Sequence, residues 1–105
     1  MNVIVAGTDD HDIAAAIESE GHTVSTVDIA NRPALEEAGI HEARVLVLTE
    51  VEQATAIAVA KDINPELKVV IYSEGSRPDF AARQADMLVD PELLDPGAVA
   101  AELDA

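Results

Sequence analysis

Polar and acidic residues follow nearly every apolar segment of this sequence. The apolar segments are residues 3–5, 45–48, 69–72 and 87–89. In a parallel sheet the carboxyl ends of the strands meet at one edge, and ligands bind in the crevice beyond that edge. The residues predicted to meet there are Gly7, Thr8, Asp9, Asp10, Thr49, Glu50, Ser73, Glu74 and Asp90.

This acidic rim has more than one interpretation. Mg²⁺ and Ca²⁺ prefer carboxylate oxygens, so Asp9, Asp10 and Glu50 are candidate ligands of a divalent cation. The alternative is that these carboxylates belong to a generally acidic surface and have no ligand. The candidate residues for a nucleotide or another small ligand are Gly7, Thr8, Asp9, Asp10, Asp28, Thr49 and Ser73.

Other kinds of catalytic site lack the residues that they need. The chain has no cysteine, which excludes a disulfide framework and a thiolate zinc site. His11, His22 and His41 do not have the H-x-x-x-H spacing of a helical zinc site. Ser73 and Ser76 are not surrounded by a G-x-S-x-G motif. We therefore predict no catalytic residue.

Strand and helix patterns alternate along the chain. Strands are predicted to begin near Asn2, Thr23, Arg44, Lys68 and Met87. Helices are predicted over residues 12–20, 31–38, 51–63 and 78–84, with a last one after Asp95. This alternation predicts one three-layer α/β/α domain over residues 1–105. Its five-stranded parallel sheet should have the flavodoxin-like order 2-1-3-4-5, because crossovers are right-handed.

Capping residues and apolar spacing define the helices. Asn31 and Asp95 can each accept a hydrogen bond from the first turn of a helix, and a proline follows each of them in that turn. In the helix over 51–63, the residues predicted to face the core are Ala54, Ile57, Ala58 and the stem of Lys61.

Negative charge dominates the composition. The chain has 21 acidic and 6 basic residues, a formal net charge of −15, and yet 49% of its residues are hydrophobic. An acidic surface around a real core is typical of a halophile's protein, because about 1 M salt shortens the screening length to about 3 Å. An acidic mesophilic protein is the alternative. Nucleic acid and anionic membranes are poor partners, since no basic patch exists to neutralise phosphates.

Targeting signals are not predicted in this sequence. No apolar run reaches the roughly 18 residues that a membrane span needs. Met1 is followed directly by the first strand, without a basic segment or a cleavage site. The expected location is therefore the cytoplasm.

Several segments resemble TrkA-N domains, the nucleotide-binding domains that regulate potassium transport and are also called KTN or RCK N-terminal domains. Residues 21–24 (GHTV) and 38–43 (AGIHEA) are similar to the "EGH-V" and "AGI-EA" segments of that family, and residues 84–94 are similar to its "GAD-VV-PE-LA" ending. The pattern is similar to a short offshoot in halophilic archaea, whose members sometimes carry the label CTP synthetase. No P-loop GxxxxGK[ST] and no cysteine support that activity here.

The phosphate-binding motif of the family is degenerate in this chain. A dinucleotide fold has G-x-G-x-x-G after its first strand, so that the backbone can approach a pyrophosphate. Here only Gly7 remains, and Asp9 and Asp10 stand where they would repel a diphosphate. Asp28 keeps the position of the acid that binds a ribose hydroxyl. The family's third strand is also missing, which turns a Rossmann sheet into the order 2-1-3-4-5.

Response-regulator receiver domains have a similar arrangement of polar residues. They carry an acid pair after the first strand, a phosphorylated Asp after the third, Ser or Thr after the fourth and Lys-Pro after the fifth. Asp9, Asp10 and Ser73 match this pattern. Thr49 replaces the phosphoacceptor, and Asp90 replaces the lysine, so phosphotransfer is not expected.

Three functions follow from these features. The first is a non-catalytic regulatory or binding module, a degenerate TrkA-N-like domain that acts through a protein partner or as a homodimer. The second is a small-ligand, nucleotide or divalent-cation binding domain with an altered phosphate loop. The third is an enzyme, for which no residue set is found. No cofactor is expected under the first, and a divalent cation or a nucleotide under the second.

Overall fold

Five parallel strands form one sheet in the computed structural model, which describes residues 1–73 and 85–103. The strands are β1 (Asn2–Ala6), β2 (Thr23–Val27), β3 (Val45–Leu48), β4 (Lys68–Tyr72) and β5 (Met87–Val89). Their order is β2-β1-β3-β4-β5, which confirms the predicted topology. Glu74 and the helix predicted over 78–84 lie outside the described residues.

The third strand begins one residue later than predicted, at Val45 instead of Arg44. Arg44 already belongs to the ladder through its backbone. Its N–H donates to the carbonyl of Asn2 at 2.8 Å, and its carbonyl accepts from the N–H of Lys68 at 3.0 Å. The difference therefore concerns only where the regular strand geometry begins.

Side chains of the sheet alternate between two apolar layers, as the period of a β-strand requires. One layer joins Ile4, Leu46 and Val69 to the helices α2 (Arg32–Glu37) and α3 (Ala56–Ile63). The opposite layer packs against α1 (Ile13–Ser19) and α4 (Pro96–Glu102), and its strand residues are Val3, Val5, Val45, Val47, Val70, Tyr72 and Val89. Helices on both faces complete the predicted three-layer architecture.

Both predicted caps are present. The side chain of Asn31 accepts a hydrogen bond from Ala34 N at 2.9 Å, and that of Asp95 accepts from Ala98 N at 2.8 Å. A proline lies in the first turn of α2 and of α4. Over residues 1–73 and 85–103, no helix combines the length and the hydropathy needed to span a membrane.

The helix predicted over 51–63 is wrong in its first turn. The structure has a 3₁₀ turn at Val51–Gln53, and α3 begins only at Ala56. Gln53 N and Ile57 N each donate to the carbonyl three residues earlier, which is 3₁₀ and not α-helical geometry. Ala54, Ala56, Ile57 and Ala60 are buried, whereas Ala58, which was predicted to face the core, is exposed.

Candidate functional site

The carboxyl ends of the strands gather most of the predicted site residues around one cleft. The cleft has a volume of about 280 Å³ and lies beyond β1, β3 and β4. We call it the carboxyl-edge cleft, and it is lined by Thr8, Asp9, Asp10, His11, Ile13, Thr49, Glu50, Tyr72, Ser73 and Pro91. Gly7 lies behind this lining, in contact with Thr49.

Gly7 is required at its position by the packing of two strand ends. Its φ angle is +106°, a left-handed conformation that favours glycine. A Cβ atom added to Gly7 would overlap with Oγ1 of Thr49. That hydroxyl donates a hydrogen bond of 3.2 Å to the carbonyl of Ala6, which holds the end of β3 against the end of β1.

Asp9 occupies the amino terminus of α1 with its own carboxylate. Its Oδ1 accepts from Ile13 N at 2.7 Å, and its Oδ2 accepts from Ala14 N at 3.2 Å. These are amides that a helix amino terminus would otherwise offer to an anion. The predicted helix start at Asp12 is one residue early, because Asp12 has a left-handed backbone with φ of 58°.

Glu50 joins the loops that follow β1 and β3. One oxygen of its carboxylate accepts from Thr8 N at 2.9 Å and from Thr8 Oγ1 at 2.7 Å. The other oxygen accepts from Gln53 Nε2 at 2.9 Å. The hydrogen bonds from the Thr8 hydroxyl, from Gln53 and from the Thr8 amide hold the pKa of Glu50 below its ordinary value of 4.5.

Gln53 extends this network to the loop after β2. Its Oε1 accepts from Ala30 N at 2.7 Å, and its Nε2 donates to the carbonyl of Asp28 at 3.0 Å. Sequence reasoning did not single out Gln53, because both of its backbone partners lie more than twenty residues away. Its spacing of three from Glu50 is the only local signal.

Tyr72 is a second residue that sequence reasoning missed. It ends β4, is buried, and donates from its hydroxyl to the carbonyl of Leu94 at 3.1 Å. The ring of His11 meets the ring of Tyr72 edge-on, with centroids 5.8 Å apart. Burial raises the pKa of Tyr72, and the charge of Asp95 adds to this. An aromatic residue at the end of an apolar strand was the available signal.

The predicted cation ligands are near one another, but two of them hold parts of the chain. Asp9 binds the amides of α1, and Glu50 binds Thr8 and Gln53. Asp10 is exposed at the rim of the cleft. Within the described ranges, no group of three or more His, Asp or Glu side chains has the arrangement of a metal site.

Asp28 lies apart from the other predicted ligand residues. It follows β2 and borders a different, open cleft of about 550 Å³ between β2 and α2. Only its backbone carbonyl is linked, through Gln53, to the network of Glu50. We call this second cavity the β2-edge cleft, and its lining residues are Ser25, Thr26, Val27, Asp28, Ile29, Asn31, Ala34, Glu37 and Ala38.

Comparison with protein families gives one match, over residues 3–103, to a model described as "Family of unknown function (DUF7126)". No curated protein sequence matches the chain.

Solved structures with a similar fold include response regulators. A CheY-like receiver domain protein from Methanospirillum hungatei has a TM-score of 0.70 and 16% identity, with 98% of this chain and 93% of that chain covered. An atypical orphan response regulator, described as revealing a phosphorylation-independent regulatory mechanism, has a TM-score of 0.73 and 14% identity, with 99% and 92% covered. The likeness establishes the fold.

A TrkA-N domain is also among the similar structures. That of the inner membrane protein ybaL from Escherichia coli has a TM-score of 0.59 and 16% identity, and 88% of each chain is covered. Its score is lower than those of the two response regulators. The fold therefore agrees with the resemblance seen in the sequence without distinguishing it from a receiver-like fold.

Proposed function

Because this chain belongs to the family of unknown function (DUF7126) whose model matches residues 3–103, we propose that it is a non-catalytic regulatory module. It acts by binding a protein partner, and neither phosphotransfer nor turnover of a substrate is part of its function. A similar structure whose description names a phosphorylation-independent mechanism supports this proposal. The proposal includes a distant relation to TrkA-N domains, whose glycine motif is degenerate in this chain.

The observation that carries the proposal is the identity and the hydrogen bonding of the residue after β3. Receiver domains carry their phosphoacceptor there, and this chain has Thr49. Its hydroxyl is hydrogen-bonded to the carbonyl of Ala6, and the neighbouring carboxylates of Asp9 and Glu50 bind backbone and side-chain donors of the same domain. These polar groups hold loops together, and no activated nucleophile results.

Incubation with a small phosphodonor tests this function. The purified chain is treated with acetyl phosphate and Mg²⁺ in molar KCl and analysed by intact mass spectrometry. We expect no phosphoryl adduct, whereas a receiver domain with an intact acceptor aspartate gains one under the same conditions. A stoichiometric adduct that disappears in Thr49→Val would contradict the proposal, because that variant removes the hydroxyl and keeps the shape of the side chain.

Binding of a cation or a small ligand in the carboxyl-edge cleft is the second candidate function. The cleft brings together Thr8, Asp9, Asp10, Thr49, Glu50 and Ser73, which favours a divalent cation or a nucleotide held through one. A thermal-shift screen in molar KCl with Mg²⁺, Ca²⁺, AMP, ATP and NADH tests it. A rise in Tm that is lost in Asp10→Asn would support this function over the first.

Free NAD(H) is not expected to bind. The carboxylate of Asp9 lies on the amides of α1 that would receive a pyrophosphate, and Asp10 adds a second negative charge nearby. Fluorescence titration of NADH measures this. A Kd near or below about 10 µM, equivalent to about −7 kcal/mol, would show that the acidic loop does not exclude the cofactor.

A surface adapted to high salt completes the proposal. Among the residues that the structure describes, no Asp or Glu is fully buried. Ion pairs of the described residues include those of Arg32 with Glu36 and Asp62 and that of Lys61 with Asp86. Six basic residues cannot pair with 21 acidic ones, so the remaining negative charge is balanced by solvent ions.

A further inference from the structure

The outer edge of β2 presents backbone groups that the sheet does not use. Thr23 N donates to Met1, and the carbonyl of Val27 accepts from Gly7, so these residues turn their backbone groups toward β1. Backbone direction alternates along a strand. The N–H and C=O groups of Val24 and Thr26 therefore point away from β1, and no strand of the described residues lies beyond them.

This edge lacks the features that usually prevent a strand from pairing with another chain. Edge strands are commonly protected by charges, prolines, bulges or short length. β2 is Thr-Val-Ser-Thr-Val, uncharged and without proline, and it pairs with β1 over five consecutive residue pairs. The strand therefore carries no charge in a chain in which one residue in five is acidic.

The opposite edge of the sheet is different. β5 has three residues, Met87–Val89, and Asp86 and Asp90 stand directly before and after it. Asp86 is engaged with Lys61 Nζ at 2.9 Å and with Val69 N at 2.7 Å. With only three residues, β5 is protected by its short length, which β2 with five residues is not.

A cavity for side chains lies beside the open edge. The β2-edge cleft, of about 550 Å³, runs between β2 and α2 and is bordered by the small or apolar side chains of Ser25, Val27, Ala34 and Ala38. Ile29 stands at the same cleft with 63% of its surface exposed. In strand addition, backbone hydrogen bonds supply affinity, and such pockets for alternate side chains supply specificity.

The charge around this edge identifies the occupant. Glu20 precedes the neutral strand by three residues, Asp28 follows it directly, and Asp28 and Glu37 line the cleft. No described residue lining the cleft is basic. In moderate salt, a second copy of this chain, with a net charge of −15, would be repelled. A strand with basic residues at its ends is complementary.

We propose that the edge of β2 binds an extended segment of a partner protein, in which a short Val- or Thr-rich centre is flanked by Lys or Arg. The segment adds a sixth strand to the sheet through Val24 and Thr26. Its alternate side chains enter the β2-edge cleft, and its cations face Glu20, Asp28 and Glu37. This inference rests on the proposed function, which makes the partner a protein. It adds which surface of the domain the partner binds and which kind of segment the partner uses.

A synthetic peptide tests the edge directly. The probe is a ten-residue peptide with alternating Val and Thr flanked by lysines, and the control peptide carries glutamates in place of the lysines. Binding is followed by ¹⁵N–¹H NMR and by amide exchange in moderate salt. We expect slower exchange of the Val24 and Thr26 amides on binding, and a Kd at least about tenfold weaker for the glutamate peptide.

Variants separate the backbone from the charge. Thr26→Pro removes one outward N–H and leaves the ladder to β1 intact, a position where edge strands accept proline. It should raise the Kd of the lysine peptide by at least about tenfold, whereas Thr26→Ala should change that Kd by less than about threefold. Thr26→Lys is a second variant that places a repelling charge on a folded edge. Glu37→Gln should weaken binding more than Glu66→Gln, which removes the same charge in the turn before β4, outside the β2-edge cleft.

Three outcomes would overturn this inference. In the first, the lysine peptide does not bind at about millimolar concentration. In the second, it binds, but Thr26→Pro and Thr26→Lys leave its Kd unchanged. In the third, the free chain is a dimer that Thr26→Pro dissociates. The last outcome would make a second copy the occupant. None of them bears on phosphotransfer, which acetyl phosphate tests separately, so a failure of this inference is distinguishable from a failure of the proposed function.

Discussion

At the carboxyl-edge cleft, the side chains of Asp9, Thr49 and Glu50 form hydrogen bonds within the domain, whereas along β2 the backbone groups of Val24 and Thr26 face outward. The cleft has the residues that sequence reasoning associates with ligands, and its contacts hold loops in place. The strand β2 itself has no charged residue, and its outward backbone groups are not paired with another strand of the described residues. Acidic side chains of this chain are therefore used in contacts within the domain, and an uncharged strand lies at the edge of the sheet.

Gly7→Ala should have the largest effect on stability, because Gly7 packs the end of β1 against the end of β3 behind the cleft. The substitution combines a strained φ of +106° with an overlap between the new Cβ and Thr49 Oγ1. We expect a loss of about 4 kcal/mol in the free energy of unfolding, measured by urea denaturation. Gly39→Ala is the matched control, since Gly39 has φ of +89° and open space around a Cβ.

The control should lose only about 1–2 kcal/mol, from the backbone conformation alone. Thr49→Ala removes the overlapping hydroxyl and should recover part of the stability in the double variant with Gly7→Ala. Equal losses for the two glycines would mean that the contact between Gly7 and Thr49 contributes nothing.

Salt should have the next largest effect, and it acts on the charged surface around the cleft and not on the uncharged strand β2. With a net charge of −15, self-repulsion of about 2–3 kcal/mol is a large part of a total stability of about 5–15 kcal/mol. Screening saturates below about 1 M, and excluded ions then strengthen apolar burial. We expect Tm to rise continuously from about 0.1 M to beyond 1 M KCl.

A neutral osmolyte at low ionic strength should restore only part of this stability, because it does not screen charge. An unchanged Tm between about 0.1 M and 2 M KCl would mean that the surface is not adapted to salt. The carboxylates of the cleft would then need a specific ligand as their explanation.

Asp9→Ala should have a smaller effect, confined to α1. The carboxylate satisfies the amides of Ile13 and Ala14, and loss of such a cap costs about 1–2 kcal/mol. Asp9→Asn keeps one acceptor and should recover about half of the loss. Asp10→Ala, at an exposed neighbour, should cost less than about 0.5 kcal/mol. Urea denaturation that ranks Asp10→Ala equal to Asp9→Ala would contradict a capping role.

Substitution of Glu50 should have the smallest effect on stability, and this effect should depend on pH. Its pKa is lowered in the folded state, so its contribution is present above its ordinary value of 4.5 and is lost as pH falls below that value. At pH 7 the free energy of unfolding of the native protein should exceed that of Glu50→Gln by only about 1 kcal/mol, since the carboxylate is partly solvated. The difference should shrink as pH falls from 5 to about 3. A difference that stays constant would assign the stability to packing and not to charge.

Much of the fold was predictable because its signals are local. Four of the five strand starts, the sheet order, and the caps at Asn31 and Asp95 were predicted as observed. Much of the lining of the candidate cleft was predictable, since strand ends converge at one edge of a parallel sheet, whereas Asp28 borders the other cleft. The interruption before α3 was not, because Gln53 is held by Ala30 and Asp28 from a distant loop.

The sequence by itself determined the alternation of strands and helices, the order of the sheet and the acidic composition, because these depend on the spacing of apolar residues and on residue counts. Only the tertiary structure decided what the polar groups do. The carboxylate of Asp9 binds amides four and five residues further along the chain, and that of Glu50 binds Thr8 across the sheet, whereas β2 lies at an open edge. Hydrogen-bonding capacity depends on which groups meet in three dimensions, and residue type alone does not fix it.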